Sequence, residues 1–445
     1  MPDNGTLATL PRLRVRLKAR AYDWLRHAPV VSEAQALSLA ARYRLGRQSD
    51  SGRLMLLSTA LRRTRSGPVR ARLERWLKPY VVGPQASVWR AERVGWNRIA
   101  DELREPALVK CLVLKAPAAN GEKGVLYLSF EVNWLRVIGQ SDLGRLMEEY
   151  LLVGASSSSP ADYASLLAFA GAARDPVFVQ VSNMRDPEDY RVCAPVIRPI
   201  PLMACDWINP AYYQPRPHAA REVDLLMVAG WGRVKRHWLL FHALRKMRKG
   251  LRVLLIGQDM DRRTPDDIWA EAKAYSVASR IELVRDAPMR LVTEYQCNSK
   301  VNVVLSRREG SNVVTTESFF ADSPVAMLRG AHVGAIVYIN DKTGRLVSED
   351  TLHRDLEGLI DESASFAPRR WAMEHVTCFH STTKLNGILR AYSAERGMPW
   401  TTDIAPMCWR PDPIYIDPAS ERAMAGAYRS LVERHGVRFR DHPAV

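Results

Sequence analysis

VDLLMVAGWGRVKRHWLLFHALRKM, residues Val223–Met247, decides the architecture. An apolar run, VDLLMVAG, leads into a loop with two glycines. RHWLLFHALRKM follows, with apolar residues recurring at three and four positions. The first pattern is that of a strand buried on both faces, the second that of a helix packed against it. The unit then repeats. LRVLLIG, IELVRD, VNVVLS and AIVYI read as strands, and DDIWAEAKAYSV, MRLVTEYQC and NVVTTESFFA as the helices between them. This alternation predicts a doubly wound α/β sheet with parallel strands.

Upstream the same texture begins near residue 108. LVKCLVLKA, GVLYLSFE, YLLVGAS and PVFVQVSN are short apolar runs, with helical patterns over Asp142–Tyr150 and Ala161–Ala170 between them. A second sheet of buried parallel strands is expected. APVIRPIPLMACDWINPAYYQPRPH, residues 194–218, is too proline-dense for a helix and reads as the linker between the sheets. The expected domains are a helical region over 1–100, α/β domains over 101–210 and 211–362, and a tail over 363–445. The tail starts helical, turns irregular where RPDPIYIDP excludes regular structure, and packs back across the cleft. Two facing α/β domains imply such a cleft, with ligands at the carboxyl ends of the strands.

The net charge of +16 is unevenly distributed, because residues 1–100 hold 20 lysines and arginines against 6 aspartates and glutamates. Turn signals at Ala28-Pro29, Ser51-Gly52 and Ser66-Gly67-Pro68 divide this region into helices. In the first, Leu10, Leu13, Leu17, Ala21 and Trp24 form one apolar stripe on a helix, while the strict alternation from Arg12 to Arg20 fits a strand as well. A basic surplus beside such a stripe suits an anionic membrane surface or an acidic polysaccharide, and also a solvated helical domain that is basic only because the chain is arginine-rich. Nucleic acid is disfavoured, since no recognition motif accompanies the charge. No apolar run is long enough to span a bilayer, and arginines interrupt every candidate leader in the first thirty residues. A cytoplasmic chain, peripheral on the inner membrane face, is expected. The six cysteines form no C-x-x-C pair and read as reduced, buried thiols.

Three loops at strand ends carry the candidate chemistry. GWGRVKRHW (230–238) offers Gly230 and the cations Arg233, Lys235 and Arg236 just before a helix, a combination suited to a diphosphate. SRREGSN (306–312) places Glu309 before a turn, with Gly310, Ser311 and Asn312 leading into a helix that carries Glu317. Backbone N–H groups there suit phosphates, and the two carboxylates suit hydroxyls at opposite ends of an extended ligand. INDKTGRLV (339–347) puts Thr343 and Gly344 in a tight turn bordering the same crevice. KAPAANGEKG (115–124) follows the first strand of the first domain and is expected to face a second reactant across the crevice. Trp134, Trp207 and Trp231 are loop-adjacent candidates for stacking on sugars, although a buried core role suits each of them too.

The order of strand, basic loop, helix, EGSNVVTTE, SPV and NDKTGRLV resembles the retaining GT-B glycosyltransferases of the glycogen-synthase-like family 4 group, with their E-x7-E signature at Glu309 and Glu317. The resemblance covers residues 223–348. It implies two Rossmann-like domains and metal-independent transfer of a sugar, with retention, from a nucleotide diphosphate to a saccharide or lipid-linked acceptor. It places Glu309 near the donor sugar, Glu317 on the ribose, and Arg233 with Lys235 on the leaving diphosphate. It implies no cofactor and no metal. The basic loop is shorter than that of the family, with Trp231 where an arginine would fall, which leaves the arginine role open between Arg233 and Arg236. The family's first-domain histidine has no counterpart, since no histidine lies between His27 and His218. A sugar-nucleotide epimerase of the same fold, or a non-catalytic sugar-nucleotide-binding or membrane-associated assembly protein, are the competing classes.

Overall fold

Both expected sheets form in a computed structural model, which describes residues 9–82, 108–185, 190, 192–193 and 195–439. The helical content expected for residues 83–100 and the end of the tail, 440–445, lie outside the described residues. The chain divides into two units. The first comprises residues 29–209 and 378–445, the second residues 1–28 and 210–377. The basic N-terminal region, expected to be one domain, is thus split at Ala28, and the tail changes unit at Cys378.

The first unit holds β1 (Cys111–Lys115), β2 (Gly124–Ser129), β3 (Tyr150–Ala155), β4 (Val177–Gln180) and β5 (Ile197–Ile200) in sequential order. Strands β2 to β5 are parallel, and every residue of β2, β3 and β4 is buried. The helices Leu143–Glu149 and Tyr163–Ala172 match the expected helical stretches within two residues.

Strand β1 departs from the expectation: it runs antiparallel to β2, with Cys111 opposite Leu128. The cause is the length of the connection. Residues 116–123 are too few for a crossover, and a hairpin is what remains. Lys115 pairs with Glu122 across it, both side chains buried, and Glu122 also accepts from the Thr401 hydroxyl and amide. The loop expected to face an acceptor is therefore closed on itself by an ion pair.

The helices Pro29–Leu45, Asp50–Arg63 and Gly67–Val82 belong to this unit, and the last two pack on Tyr163–Ala172. Ser51-Gly52 is not a turn but the first turn of Asp50–Arg63, where Ser49 caps the helix by accepting from the Gly52 amide. The proline-rich stretch is packed rather than free. It supplies β5 and short 3-10 turns around a fully buried Trp207. The unit boundary falls inside it, at Asn209–Pro210. The C-terminal RPDPIYIDP contains a strand after all. Strands β12 (Met407–Trp409) and β13 (Pro413–Tyr415) pair antiparallel, with Pro413 at the first position of its strand, where a missing N–H is tolerated.

The second unit contains β6 (Val223–Val228), β7 (Val253–Gly257), β8 (Ile281–Arg285), β9 (Ser299–Val304), β10 (Val325–Leu328) and β11 (Gly344–Val347). All pairings are parallel, in the spatial order β8-β7-β6-β9-β10-β11. Counted within the unit this is 3-2-1-4-5-6, the doubly wound order of dinucleotide-binding sheets. The helices His237–Leu244, Pro265–Ala274, Met289–Cys297 and Val313–Phe320 connect the strands. Thr9–His27 packs against the first two of these.

Two details differ from the sequence reading. AIVYI is not a strand: Gly334–Tyr338 forms a 3-10 turn, and the strand of that region is β10. A five-residue apolar run carries no periodicity that separates the two. The expected tight turn forms but ends at Thr343, whose amide donates to the Asn340 carbonyl, and Gly344 already opens strand β11. Gly344 lies against the backbone of Val325, so a Cβ there would collide with the Val325 carbonyl. Among the described residues, no helix is long and apolar enough to cross a membrane.

The collision at Gly344 is testable. Gly344→Ala is expected to lower the unfolding free energy by about 1–3 kcal/mol, as overpacking does. Chemical denaturation compared with the parent protein measures it.

Candidate active site

In a sheet of order 3-2-1-4-5-6, the connections leave adjacent central strands toward opposite faces. The loops at that reversal part and leave a crevice. Here the reversal lies between β6 and β9, and the loops that follow these strands are the two chemistry-bearing stretches, 229–236 and 305–312.

The first loop is shaped by packing. Trp231 is fully buried and its amide donates to the Gln258 carbonyl, which extends the β6–β7 register by one step. Its ring fills the space left by Gly257, where a Cβ would stand 2.9 Å from the indole. Gly230 and Gly232 admit Met260 in the same way. The close approach at Gly230 is thus to the neighbouring loop of the protein itself. Trp134 and Trp207 are fully buried like Trp231, and none of the three presents a stacking platform.

The three cations meet different fates. Lys235 donates to Glu309 at 2.7 Å and joins the two loops across the reversal. Arg236 takes a left-handed conformation, φ 60° and ψ 41°, which turns its side chain inward. Its guanidinium is buried and donates to Asp23 and to Glu349, at 2.8 Å each. Arg236 is thereby committed to holding the helix Thr9–His27 and the segment after β11. Arg233 is half-buried, and its guanidinium has no hydrogen-bond or ion-pair partner among the described residues; the Glu271 carboxylate, itself paired with Arg263, is near enough to feel its charge.

Glu309 sits in a held frame. Its amide donates to the His332 carbonyl, the His332 amide to Arg307, and the amides of Gly334 and Ala335 to the carbonyls of Gly310 and Ser311. The carboxylate accepts from Lys235, from the Ser306 hydroxyl and, at 2.8 Å, from the Asn312 amide group. Burial alone would raise its pKa. The Lys235 charge and these three hydrogen bonds outweigh burial, so the carboxyl stays below its ordinary range and ionised at neutral pH.

Asn312 is itself left-handed (φ 57°), a conformation asparagine tolerates, and the Thr315 hydroxyl donates to its side-chain oxygen at 2.6 Å. Among the described residues the amides of Ser311, Asn312 and Val313 donate to no group, and they stand at the start of the helix Val313–Phe320. Open amides at a helix start form an anion seat.

Glu317 lies within that helix and is buried, with the side-chain amide of Gln296 donating to it at 3.1 Å. Thr343 is fully buried. Its hydroxyl donates to the Tyr338 carbonyl and accepts from the Asn340 amide, so Thr343 and Gly344 are occupied in building the turn and strand. Among the described residues, no group of three His, Cys, Asp or Glu could hold a metal ion.

Sequence reading missed three parts of this arrangement. Ser306 was seen as a strand end and not as a donor to Glu309. Asp23, more than two hundred residues from Arg236, gives no local signal. His237, the first residue of the helix after the basic loop, is fully enclosed beside the Trp231 indole, ring centroids 5.6 Å apart, with no protein partner at either nitrogen. Burial, with the charges of Arg263 and Lys235 added, lowers its pKa to about 3.

His237 gives a pH prediction. Its folded pKa lies below the unfolded value, so the unfolded chain takes up the proton first as pH falls. Stability is expected to drop by roughly 1.4 kcal/mol per pH unit from about pH 6.5 toward 3 on this account. In His237→Phe the fall in unfolding free energy between pH 7 and pH 5 should be smaller than in the parent by about 2 kcal/mol. Equal falls in both proteins would contradict the assignment.

No protein-family model and no curated protein matches the sequence. Solved structures similar to the chain include sucrose-phosphate synthase from Thermosynechococcus elongatus, at 16% identity and TM-score 0.47, over 61% of this chain and 74% of that one. Anabaena HepE in complex with UDP-glucose is similar at 13% identity and TM-score 0.47, over 58% and 76%. WaaG, a glycosyltransferase involved in lipopolysaccharide biosynthesis, is similar at 14% identity and TM-score 0.39, over 50% and 73%. With TM-scores under 0.5, what the chain does has to be read from its own site.

Proposed function

We propose that the protein is a glycosyltransferase that seats the diphosphate of a nucleotide sugar between the loops after β6 and β9, and moves the sugar, with retention and without a metal, to a saccharide or lipid-linked acceptor. The observation that carries the reading is the Lys235–Glu309 bridge across the reversal, flanked by an unpaired Arg233 and three open amides.

Lys235 has three donors and uses one on Glu309, which leaves two for phosphate oxygens. Arg233 and the amides of Ser311, Asn312 and Val313 supply the remaining positive potential. In the transfer, the bond from the anomeric carbon to the diphosphate oxygen breaks, and its electron pair leaves with the diphosphate. The acceptor oxygen bonds to the same face of that carbon, and its proton passes to the departing phosphate oxygen. Negative charge grows on the leaving group as this happens, so fixed cations and amides stabilise the transition state more than the ground state. Glu309, held ionised, accepts from sugar hydroxyls, and Glu317 is assigned to the ribose. Arg236 is assigned to anchoring the loop.

Phosphorus NMR with UDP-, GDP- and ADP-sugars tests the proposal. Release of free nucleoside diphosphate from one donor is expected. Arg233→Ala should weaken nucleotide binding by roughly tenfold, the scale of one charge-assisted contact. Glu317→Ala should also weaken binding, whereas Glu309→Gln should cut turnover by about a hundredfold or more with binding retained. An epimer appearing without nucleotide release assigns the protein to the epimerases. Broadened signals with no reaction assign it as a binding module, the class favoured by the absence of a histidine between His27 and His218. Glu309→Gln and Glu317→Ala variants that both behave as the parent would remove the site assignment.

A further inference from the structure

The helix Thr9–His27 is docked by the side opposite its apolar stripe. Ala19 and Asp23 are buried and Val15 is half-buried, and Asp23 is the residue bound to Arg236. Leu13, Leu17 and Trp24 point the other way, at 50%, 58% and 60% exposure. At 3.6 residues per turn these three fall within about 40° of one another, a narrow continuous ridge. Leu25, 56% exposed, lies about 80° further round, between Arg14 and Lys18.

Cations line both flanks of the ridge. By helical position Arg16 and Arg20 lie on one side and Arg14 and Lys18 on the other, and Arg14, Lys18 and Arg20 are exposed. The helix contains a single acid, Asp23, and it lies on the inward face. The charge around the ridge is therefore uncompensated on the exposed side.

We propose that this ridge is a docking surface for an anionic lipid bilayer. Leucines and a tryptophan at the boundary of the acyl region, with basic side chains reaching up to the headgroup phosphates, are what such an interface accommodates. Charge decides between this occupant and a second copy of the chain. A symmetric helix pair would bring the same cations of both copies together along the seam, whereas anionic headgroups neutralise them. The docking does not depend on the transferase reading. It adds that the bilayer-facing helix and the Arg233–Lys235 loop are joined by the buried Asp23–Arg236 pair.

Flotation of the full chain with phosphatidylcholine vesicles, with and without about one-third phosphatidylglycerol, tests it. Capture by the anionic vesicles, weakened by salt, is expected. A Leu13→Ser/Leu17→Ser/Trp24→Ser variant should lose roughly tenfold or more of that partition. Its thermal unfolding should stay unchanged, because the three side chains are exposed. Arg14→Gln/Lys18→Gln/Arg20→Gln should abolish the preference for anionic over neutral vesicles. Vesicle capture that survives the triple serine variant overturns the proposal, as does absence of capture in the parent. A concentration-dependent dimer that the serine variant abolishes, with no vesicle binding, identifies a second copy as the occupant instead.

Discussion

The reversal of winding between β6 and β9 is the constraint on which the candidate site depends. Two neighbouring parallel strands end side by side, yet their chains depart toward opposite faces of the sheet. The backbone groups at the two strand ends cannot cover each other, so something must fill the gap. In this protein it is an ion pair, Lys235 with Glu309. Both members are mostly shielded from water, and such a pair stabilises a fold only when its remaining valences are met. Ser306 and Asn312 meet those of the carboxylate, while the ammonium keeps donors in hand. That asymmetry separates an anion seat from a purely structural salt bridge.

The four residues Arg233–Arg236 show how one sequence feature divides into separate tasks. From spacing alone the three cations are equivalent, all near a helix start. The left-handed turn at Arg236 breaks the equivalence by sending one side chain inward, where two carboxylates surround it. Removing either acid would leave a buried charge short of a partner, which costs far more than an exposed pair is worth. Placing Arg236 in the interior in turn fixes the backbone from which Lys235 and Arg233 project. Of the two arginines between which the sequence left that role open, Arg236 is engaged by Asp23 and Glu349, and Arg233 is the one we propose for the diphosphate.

Much of this was legible in the sequence, and what was not has physical reasons. Strand–helix alternation is a property of each segment's own burial, so VDLLMV and VNVVLS could be read directly. The doubly wound class followed from their alternation, but the strand order that puts the reversal between β6 and β9, and the Lys235–Glu309 bridge across it, are set by pairing between distant segments. Hidden features are those set by distant partners or by competing short patterns. The antiparallel β1 depends on the length of a connection rather than on composition. The 3-10 turn Gly334–Tyr338 is an apolar run whose amides at Gly334 and Ala335 are taken up by the Glu309 loop before any strand can claim them. The apolar stripe of Thr9–His27 was visible, but periodicity could not say which way it faced, and the usual expectation, stripe inward, is reversed by Asp23.

That reversal also bears on the geometry of the basic loop. A helix that seeks the core by its apolar face needs no specific anchor, because area decides its orientation. One docked by a small face, with Ala19 at its centre and arginines beside it, buries little and sets Arg12 near Arg245, and Arg16 and Arg20 near His242. Burial first, and then the charges of Arg16, Lys246, Arg245 and Arg20, lower the His242 pKa to about 4. Like charges on both sides of a contact oppose it, so the buried Asp23–Arg236 pair must supply the specificity that apolar area does not. The orientation of the helix and the conformation of Arg236 therefore depend on the same two atoms, Oδ2 of Asp23 and Nε of Arg236, and whatever displaces the helix acts first on the residue adjoining Lys235.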